Sequence, residues 1–521
     1  MYTVSFFGGT VFIQYRNSWL KVPLSIMDRS ALLSSIQRLQ LRKETLLLEL
    51  ESLDLDLQSQ QAQYSRLVND DVAVYKLPNE LLTTIFMMCA NTSTKQWPTA
   101  FTRSLPFQVV ASHVSHRWRD ITLGTPLLWN TFIVRIMKRL NGPHMVSRLE
   151  AHLERSNSCF LDIALDFRVS DDLAVYCRLL AKHSQRWRRL SILTTFEEIN
   201  HLREMLHGVE VPMLEHLSLI LGRSNTFSPR QQFTSVTPAI LAACPPCLSF
   251  VRLAGQALGN LHPPTSSITT LHLDGWTRHF ITHDQLKVVL EGAPLLINLS
   301  LNQLHLNHPR DPFDIADPTT LPFLRALRIC GPCSPVSRFM SLLCMPQLES
   351  MTLDRLETFD SQVMRTVRSL NLDCCRFNEQ EFSKLIHSFP SISDLSIDES
   401  LPEILYALLP GTNNIPVSTE GGTTPSQSPP LAWPQLQTIA IRDLQSLDVP
   451  NFCKIVFHRQ EGSDEGSSPL RRILLDRRSR TVLRAKQRLE WLQEKFIVEN
   501  ADIPAPWPMG LQYEDAQDLL E

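Results

Sequence analysis

The residues of this chain best spaced for chemistry are two Cys-x-x-Cys pairs, Cys244-Pro245-Pro246-Cys247 and Cys330-Gly331-Pro332-Cys333. Thiols at that spacing serve disulfide exchange or half of a zinc site. Neither chemistry is supported by what surrounds them. The pairs lie far apart in sequence, no thioredoxin-like pattern flanks them, and Pro246 and Cys247 belong to a recurring strand motif. A basic run, Arg471, Arg472, Arg477, Arg478, Arg480, Arg484, Lys486 and Arg488, offers charge for a phosphate, but no aromatic residues interleave it. It reads as a solvated edge opposite an acidic stretch near 460–468. The 16 histidines are dispersed, and no His-Glu-x-x-His, Gly-Lys-Ser/Thr or Gly-x-Ser-x-Gly element occurs. The expectation is therefore a protein that is not an enzyme, with no catalytic residue, metal or cofactor.

Length and composition set the frame for the elements that hold these residues. A chain of 521 residues exceeds one ordinary core, so two to four domains or one elongated array is expected. At 43% hydrophobic and 20% charged it is globular in type. A net charge of -3 gives no global drive towards nucleic acid or an anionic membrane. No apolar run reaches the ~18 residues of a membrane span. The 11 cysteines are odd in number and scattered, which suits a reducing compartment, cytoplasmic and/or nuclear.

A motif Pro-x-Leu-x-x-Leu-x-Leu recurs from Pro212, Pro246, Pro294, Pro322, Pro346, Pro390 and Pro434, with Ile, Val or Met allowed for Leu. Its final alternation puts two side chains on one face of a short strand, and the proline suits a turn before it. Central positions fall at 217, 251, 271, 299, 327, 351, 370, 395, 439 and 473. Helical segments such as His283–Glu291 and Glu379–Ser388 lie between. One strand and one helix per ~20–30 residues predicts degenerate leucine-rich repeats over 150–480. The Gly, Ser, Thr and Pro of 411–433 predict a disordered insertion. A terminal helix over Thr481–Asn500 and a loose tail to 521 are expected to close the chain.

Before this array, apolar residues step by four and three from Leu32 through Ile36, Leu39, Leu46, Leu50, Leu53 and Leu57 to Leu67, with Lys43, Gln60 and Tyr64 in the same seam. That spacing predicts a coiled-coil-like helix over 28–70. Extra leucines at 47, 48 and 55 widen the stripe, so self-association and packing back on the same chain both stay open. Residues 1–27 share nothing with this pattern, and no Lys or Arg precedes their apolar stretch as a secretory signal requires. They are expected as a poorly ordered extension, or as residues upstream of a true start at Met27.

Between helix and array lies Leu77–Trp129. Pro78 fixes a chain direction, Asn79 and Glu80 suit a helix start, and Val110, Val114, Trp118 and Ile121 have helical spacing. So short a module is marginal alone and predicts a partner. Its order of elements, LPNELLTTIF, then VASHVSHRWRDITL, then TPLLW, resembles the F-box in the divergent form of fungal, basidiomycete-type F-box-like proteins. Two departures stand out: Ser115 where the family has Cys, and a longer loop at 91–106. The resemblance implies helices that dock on the Skp-type adaptor, and through it cullin, of a ubiquitin ligase. It assigns Leu77, Pro78, Leu81, Ile85, Phe86, Val114 and Trp118 to the docking surface, with Leu127, Leu128 and Trp129 in support. The array would bind a target protein. The alternative is a leucine-rich-repeat scaffold acting outside ubiquitination.

Taken together, the expected fold is mainly α plus α/β. It runs from the extension at 1–27 to a coiled-coil-like helix at 28–70 and a small helical F-box-like domain at 74–131. An irregular leucine-rich-repeat solenoid at 150–480 follows, then a C-terminal helix with a loose tail at 481–521.

Overall fold

A computed structural model describes residues 3–7, 10–15, 18–23, 26–94, 105–137, 142–169, 173–222, 240–241, 245–275, 280–306, 318–331, 340, 343–359, 362–398, 404–406, 408–409, 432–461 and 468–501. The insertion at 411–433 falls outside these except for Ala432 and Trp433, as do Cys244, Cys333, most of the 91–106 loop and the tail from 502. Among the described residues no helix is long and apolar enough to cross a membrane. The chain divides into two compact units, Met1–Leu82 and Thr83–Glu521.

In the first unit, three strands, Thr3–Phe7, Thr10–Tyr15 and Ser18–Pro23, pair antiparallel in sequence order. The sequence reading expects a poorly ordered extension there. The register explains the difference: Val4 stands opposite Ile13 and Ile13 opposite Leu20, while Phe6, Val11 and Val22 align the same way. Period-2 apolar positions of this kind specify strands. Helix α1 follows at Ile26–Asp71, 46 residues long and about 69 Å by helical rise. A short 3-10 turn, Ala73–Lys76, then leads to Leu77 at φ -71°, ψ 138°, the extended geometry a residue before proline is pushed into.

The second unit is built on one sheet of 14 strands, from Thr131–Met137 to Ile497–Asn500. Each strand pairs parallel with the one before it, so spatial order equals sequence order. This is an α/β fold. It corrects the expectation of a mainly α chain carrying an irregular leucine-rich-repeat solenoid over 150–480. The sheet begins before 150, in Thr131–Met137, and continues past 480 without a break in pairing.

The reason lies in a cross-strand row. Leu190, Leu217, Val251, Leu271, Leu299, Leu327, Met351, Leu370, Leu395, Ile439 and Ile473 are register partners of one another, strand after strand. All are buried, and each such side chain contributes about 1.5–3 kcal/mol on leaving water. A second row two residues on, through Leu219, Leu253, Leu273, Leu301, Ile329 and Leu353, repeats it. A one-residue slip of any strand would expose both of its core residues, so the register is locked.

The motif's proline sits at the second place of a hydrogen-bonded turn. Leu214, Leu248, Leu296, Leu324, Leu348 and Leu436 each donate a backbone N–H to the carbonyl of the residue before the proline, at 3.1–3.3 Å. Proline's fixed φ suits that position, and the donating leucine drops into the core. At the other strand ends, Gln303, Arg355 and Cys374 take left-handed φ of 48°, 54° and 49°, and Gly331 takes 76°. Their N–H groups donate to the last carbonyl of the next strand: Gln303 to Cys330, Gly331 to Asp354, Arg355 to Asp373 and Cys374 to Asp398. Gly275 makes the equivalent bond to Asn302, and a Cβ there would overlap the Gln303 carbonyl.

The expected single helix over Thr481–Asn500 is two short helices, Arg477–Ala485 and Leu489–Lys495, and then the edge strand Ile497–Asn500. Gln487, at φ 56°, breaks the helix between them.

Candidate docking surface

Helix α2, Asn79–Thr94, opens with the N–H of Leu82 bonded to the Pro78 carbonyl at 3.2 Å. Its sequence gives it two unlike sides. Leu82 and Phe86, four apart, are buried at 1% exposure each, whereas Leu81, Ile85 and Met88 are 51%, 43% and 63% exposed along another face. Inside the second unit, the Phe86 ring packs on Trp118 at 4.8 Å and on Phe107 at 5.6 Å.

Trp118 is positioned by helix α4, His116–Leu123, which follows the short helix α3, Phe107–Ala111. Ser115 is the N-cap of α4: its hydroxyl accepts from the Trp118 N–H at 3.2 Å. Serine is among the residues preferred at this position, so Ser115 starts the helix well. Thr122 and Thr125 return hydroxyl bonds to the Trp118 and Ile121 carbonyls at 2.6 and 2.7 Å, and Gly124 closes the helix. Pro126–Leu128 forms a 3-10 turn that sets Leu128 and Trp129 in the interior, with Leu127 exposed. The Trp129 indole donates to the Thr122 carbonyl at 2.8 Å. Below it, His152 packs edge-on at 5.0 Å from both Trp129 and Phe132, and the Arg155 guanidinium lies 4.5 Å over the Trp129 ring. Burial, then Arg148 and Arg155, push the His152 imidazole down to about 3, so it is neutral.

The residues singled out for docking therefore separate. Phe86, Leu128 and Trp129 are interior groups, and Trp118 and Leu77 are half-buried. Pro78, Leu81, Ile85, Val114 and Leu127 are exposed, and Met88 and Val110 join them as exposed apolar residues outside the sequence-based set. Their signal was present: Met88 lies seven residues from Leu81, on its helix face.

The sheet has a second candidate face, carried by the x of Leu-x-Leu. Ser218, Arg252, His272, Ser300, Arg328, Thr352, Asn371, Ser396, Ala440 and Leu474 align across ten strands. From Ser218 to Thr352 this row is buried; from Asn371 to Leu474 it is half-exposed. The buried part is polar, and its two arginines have partners close by. Arg252 holds Asp274 in an ion pair with both side chains no more than 3% exposed, and Arg328 reaches Cys330 Sγ at 2.9 Å. Phe250 lies stacked on His216 at 4.2 Å and tilted to His272 at 4.8 Å.

The last residue of successive strands adds an acidic ladder. Asp354, Asp373 and Asp398 are register partners, and Arg442 pairs with Asp398 at 3.0 Å. Burial first, then Asp354 and Asp398, push the Asp373 carboxyl up to about 6. Donor atoms of Asp354, Asp373 and Cys374 lie within 4.8 Å of one another, the described residues grouped closely enough to hold a cation. Sequence reading passed over these acids, although the residue after each Leu-x-Leu in LHLD, MTLD, LNLD and LSID is the signal. Among the thiols, burial pushes Cys177 and Cys375 up to about 12, so neither is poised as a nucleophile. Of the two Cys-x-x-Cys pairs, Cys330 is buried and Cys247 exposed. No family model matches the chain, and no curated protein matches it.

Proposed function

We propose that this chain is the target-recognition adaptor of a Skp–cullin–F-box ubiquitin ligase. The helices of 77–129 dock on the Skp-type adaptor, and the half-exposed face of the sheet holds a target protein. One observation carries the reading: Leu81, Ile85 and Met88 lie exposed on one helix face while Leu82 and Phe86 of the same helix are buried. An apolar face of that kind gains by burying itself against a partner. The order of motifs that resembles the F-box names the partner class. The target face is the row Asn371, Ser396, Ala440 and Leu474, bordered by Asp373, Asp398 and Arg442. The chain contributes no reacting group. Ubiquitin transfer is accelerated by holding a target lysine near the charged enzyme, which raises effective concentration.

The test is affinity purification of the full chain from cells, with immunodetection of Skp-type adaptor and cullin. Trp118 packs against Phe86, so replacing it would disturb the interior; Ile85→Asp with Met88→Asp changes only exposed positions. The double variant is expected to lose the adaptor while keeping the parent's melting temperature. Full retention of the adaptor by that folded variant refutes the docking face. Adaptor without cullin, in the parent, refutes the ligase role and leaves a scaffold.

A further inference from the structure

Helix α1 carries an exposed apolar seam. Leu32, Ile36, Leu39, Leu46, Leu50 and Leu53 are 48–67% exposed, and Leu57 is 54% exposed. Two-stranded coiled coils bury seams of this 3.5-residue period. With Ile36, Lys43, Leu50, Leu57 and Tyr64 at position a, the d positions are Leu32, Leu39, Leu46, Leu53, Gln60 and Leu67. The flanking g positions include Arg42, Glu49 and Asp56, and the flanking e positions include Leu47 and Asp54.

Charge decides both the occupant and its direction. In the seam and its flanks, basic Arg42 and Lys43 stand in the first half of the helix and acidic Glu49, Asp54 and Asp56 follow, while Glu44 and Arg66 lie off the seam at b and c. Two parallel copies in register would set Lys43 against Lys43 in the seam and Glu49 beside Asp54 on both flanks. Like charges so placed oppose pairing. Two antiparallel copies avoid this. In the register that sets Leu46 against Leu50, Leu39 meets Leu57 and Lys43 meets Leu53, with the Lys43 stem buried and its ammonium free to reach the acidic flank. Arg42 of each copy then stands beside Asp56 of the other, and Leu47 meets Leu47 at the two-fold axis. A single like pair, Glu49 with Glu49, remains at that axis. The helix is thus complementary to itself reversed.

We infer that α1 binds α1 of a second copy of this chain as an antiparallel coiled coil, with Arg42 paired to Asp56 across the interface. This is independent of what the helices at 77–129 bind. Its consequence is bivalency: two sheets on one particle would hold a multivalent target by avidity.

The experiment is light scattering behind size exclusion on the purified full chain across a concentration series, backed by analytical ultracentrifugation. The expected species is a dimer of the 59.5-kDa chain. Arg42→Glu is expected to weaken dimerisation on the order of tenfold, and Arg42→Glu with Asp56→Arg to restore it. Glu49→Gln should tighten the dimer. Because these positions are on an exposed helix, the melting of the sheet unit serves as the folding control. A monomer throughout the series overturns the inference. A dimer that the charge swap leaves unrestored overturns the antiparallel pairing, since parallel helices place Arg42 beside Leu47.

Discussion

Replacing Asp373 by Asn should stabilise the protein at neutral pH and leave it unchanged in acid. The side chain ends the strand Ser369–Asp373 between the register partners Asp354 and Asp398, and its carboxyl is pushed up to about 6 from 3.8. A folded carboxyl with a raised pKa holds its proton more tightly than the unfolded chain does. Stability is therefore highest below about pH 4, falls as pH rises towards 6, and stays reduced above that. Two pKa units correspond to about 3 kcal/mol. Coulomb repulsion gives a similar figure: carboxylate oxygens no more than 4.8 Å apart at an effective dielectric of ~20 repel by about 3 kcal/mol or more. Asp373 is only half-buried and also feels Arg442 and an attractive hydrogen bond from Cys374, so about 1–2 kcal/mol is the expected gain. Equilibrium urea unfolding at pH 3.5, 5.0 and 7.5 measures it, with an unchanged slope showing that the same surface is exposed. Arg442→Gln is the control of opposite sign, because Arg442 draws the Asp373 carboxyl down and pairs with Asp398 at 3.0 Å, so its loss should destabilise at pH 7.5. Equal effects of Asp373→Asn at pH 3.5 and 7.5, or destabilisation at 7.5, would refute the reasoning.

Two further expectations concern the helical module and its footing. His152, pushed down to about 3, gives stability that is complete above about pH 6.5 and is lost as pH falls towards 3, so about 3 kcal/mol should go between pH 6.5 and 4.5. His152→Gln should flatten that acid limb in a melting-temperature series; an unchanged limb means the imidazole is not the group responsible. Ser115→Ala removes the α4 cap and should cost about 1 kcal/mol, with Ser115→Asp retaining it, read by thermal unfolding. Equal stability of both variants would show that the cap bond at 3.2 Å contributes nothing.

What the sequence disclosed was local, and what it hid was not. The strand at each Leu-x-Leu could be read because alternation and the turn proline act within eight residues, as Pro294 through Leu301 do in PLLINLSL. The long helix could be read because its period persists from Leu32 to Leu67. The class of the fold could not. Thr131–Met137, Leu161–Val169 and Ile497–Asn500 carry no copy of the proline motif, yet they extend the sheet at its two ends. Gln487 breaks the last helix with a left-handed φ that a non-glycine residue does not advertise. The N-terminal strands were missed for a related reason: each is only five or six residues long, and pairing between them, rather than any one segment, makes the pattern.

The x positions show how the same motif yields two different surfaces. Arg252 and Asn371 occupy one cross-strand row and equivalent places in VRL and LNL, so their local patterns assign both to the exposed side. Arg252 is 2% exposed and neutralised by Asp274, whereas Asn371 is half-exposed. Strands such as His216–Gly222 and Phe250–Gly255 are buried at every position, the pattern of a sheet covered on both faces, while Ser369–Asp373 and Thr438–Ile441 alternate. Buried charge is tolerated only when paired, which confines Arg252 to a structural role beside Asp274. The half-exposed stretch from Asn371 to Leu474 carries no buried charge, which is why the proposed target face is drawn there. That division within one row, rather than the motif itself, is what separates the two surfaces.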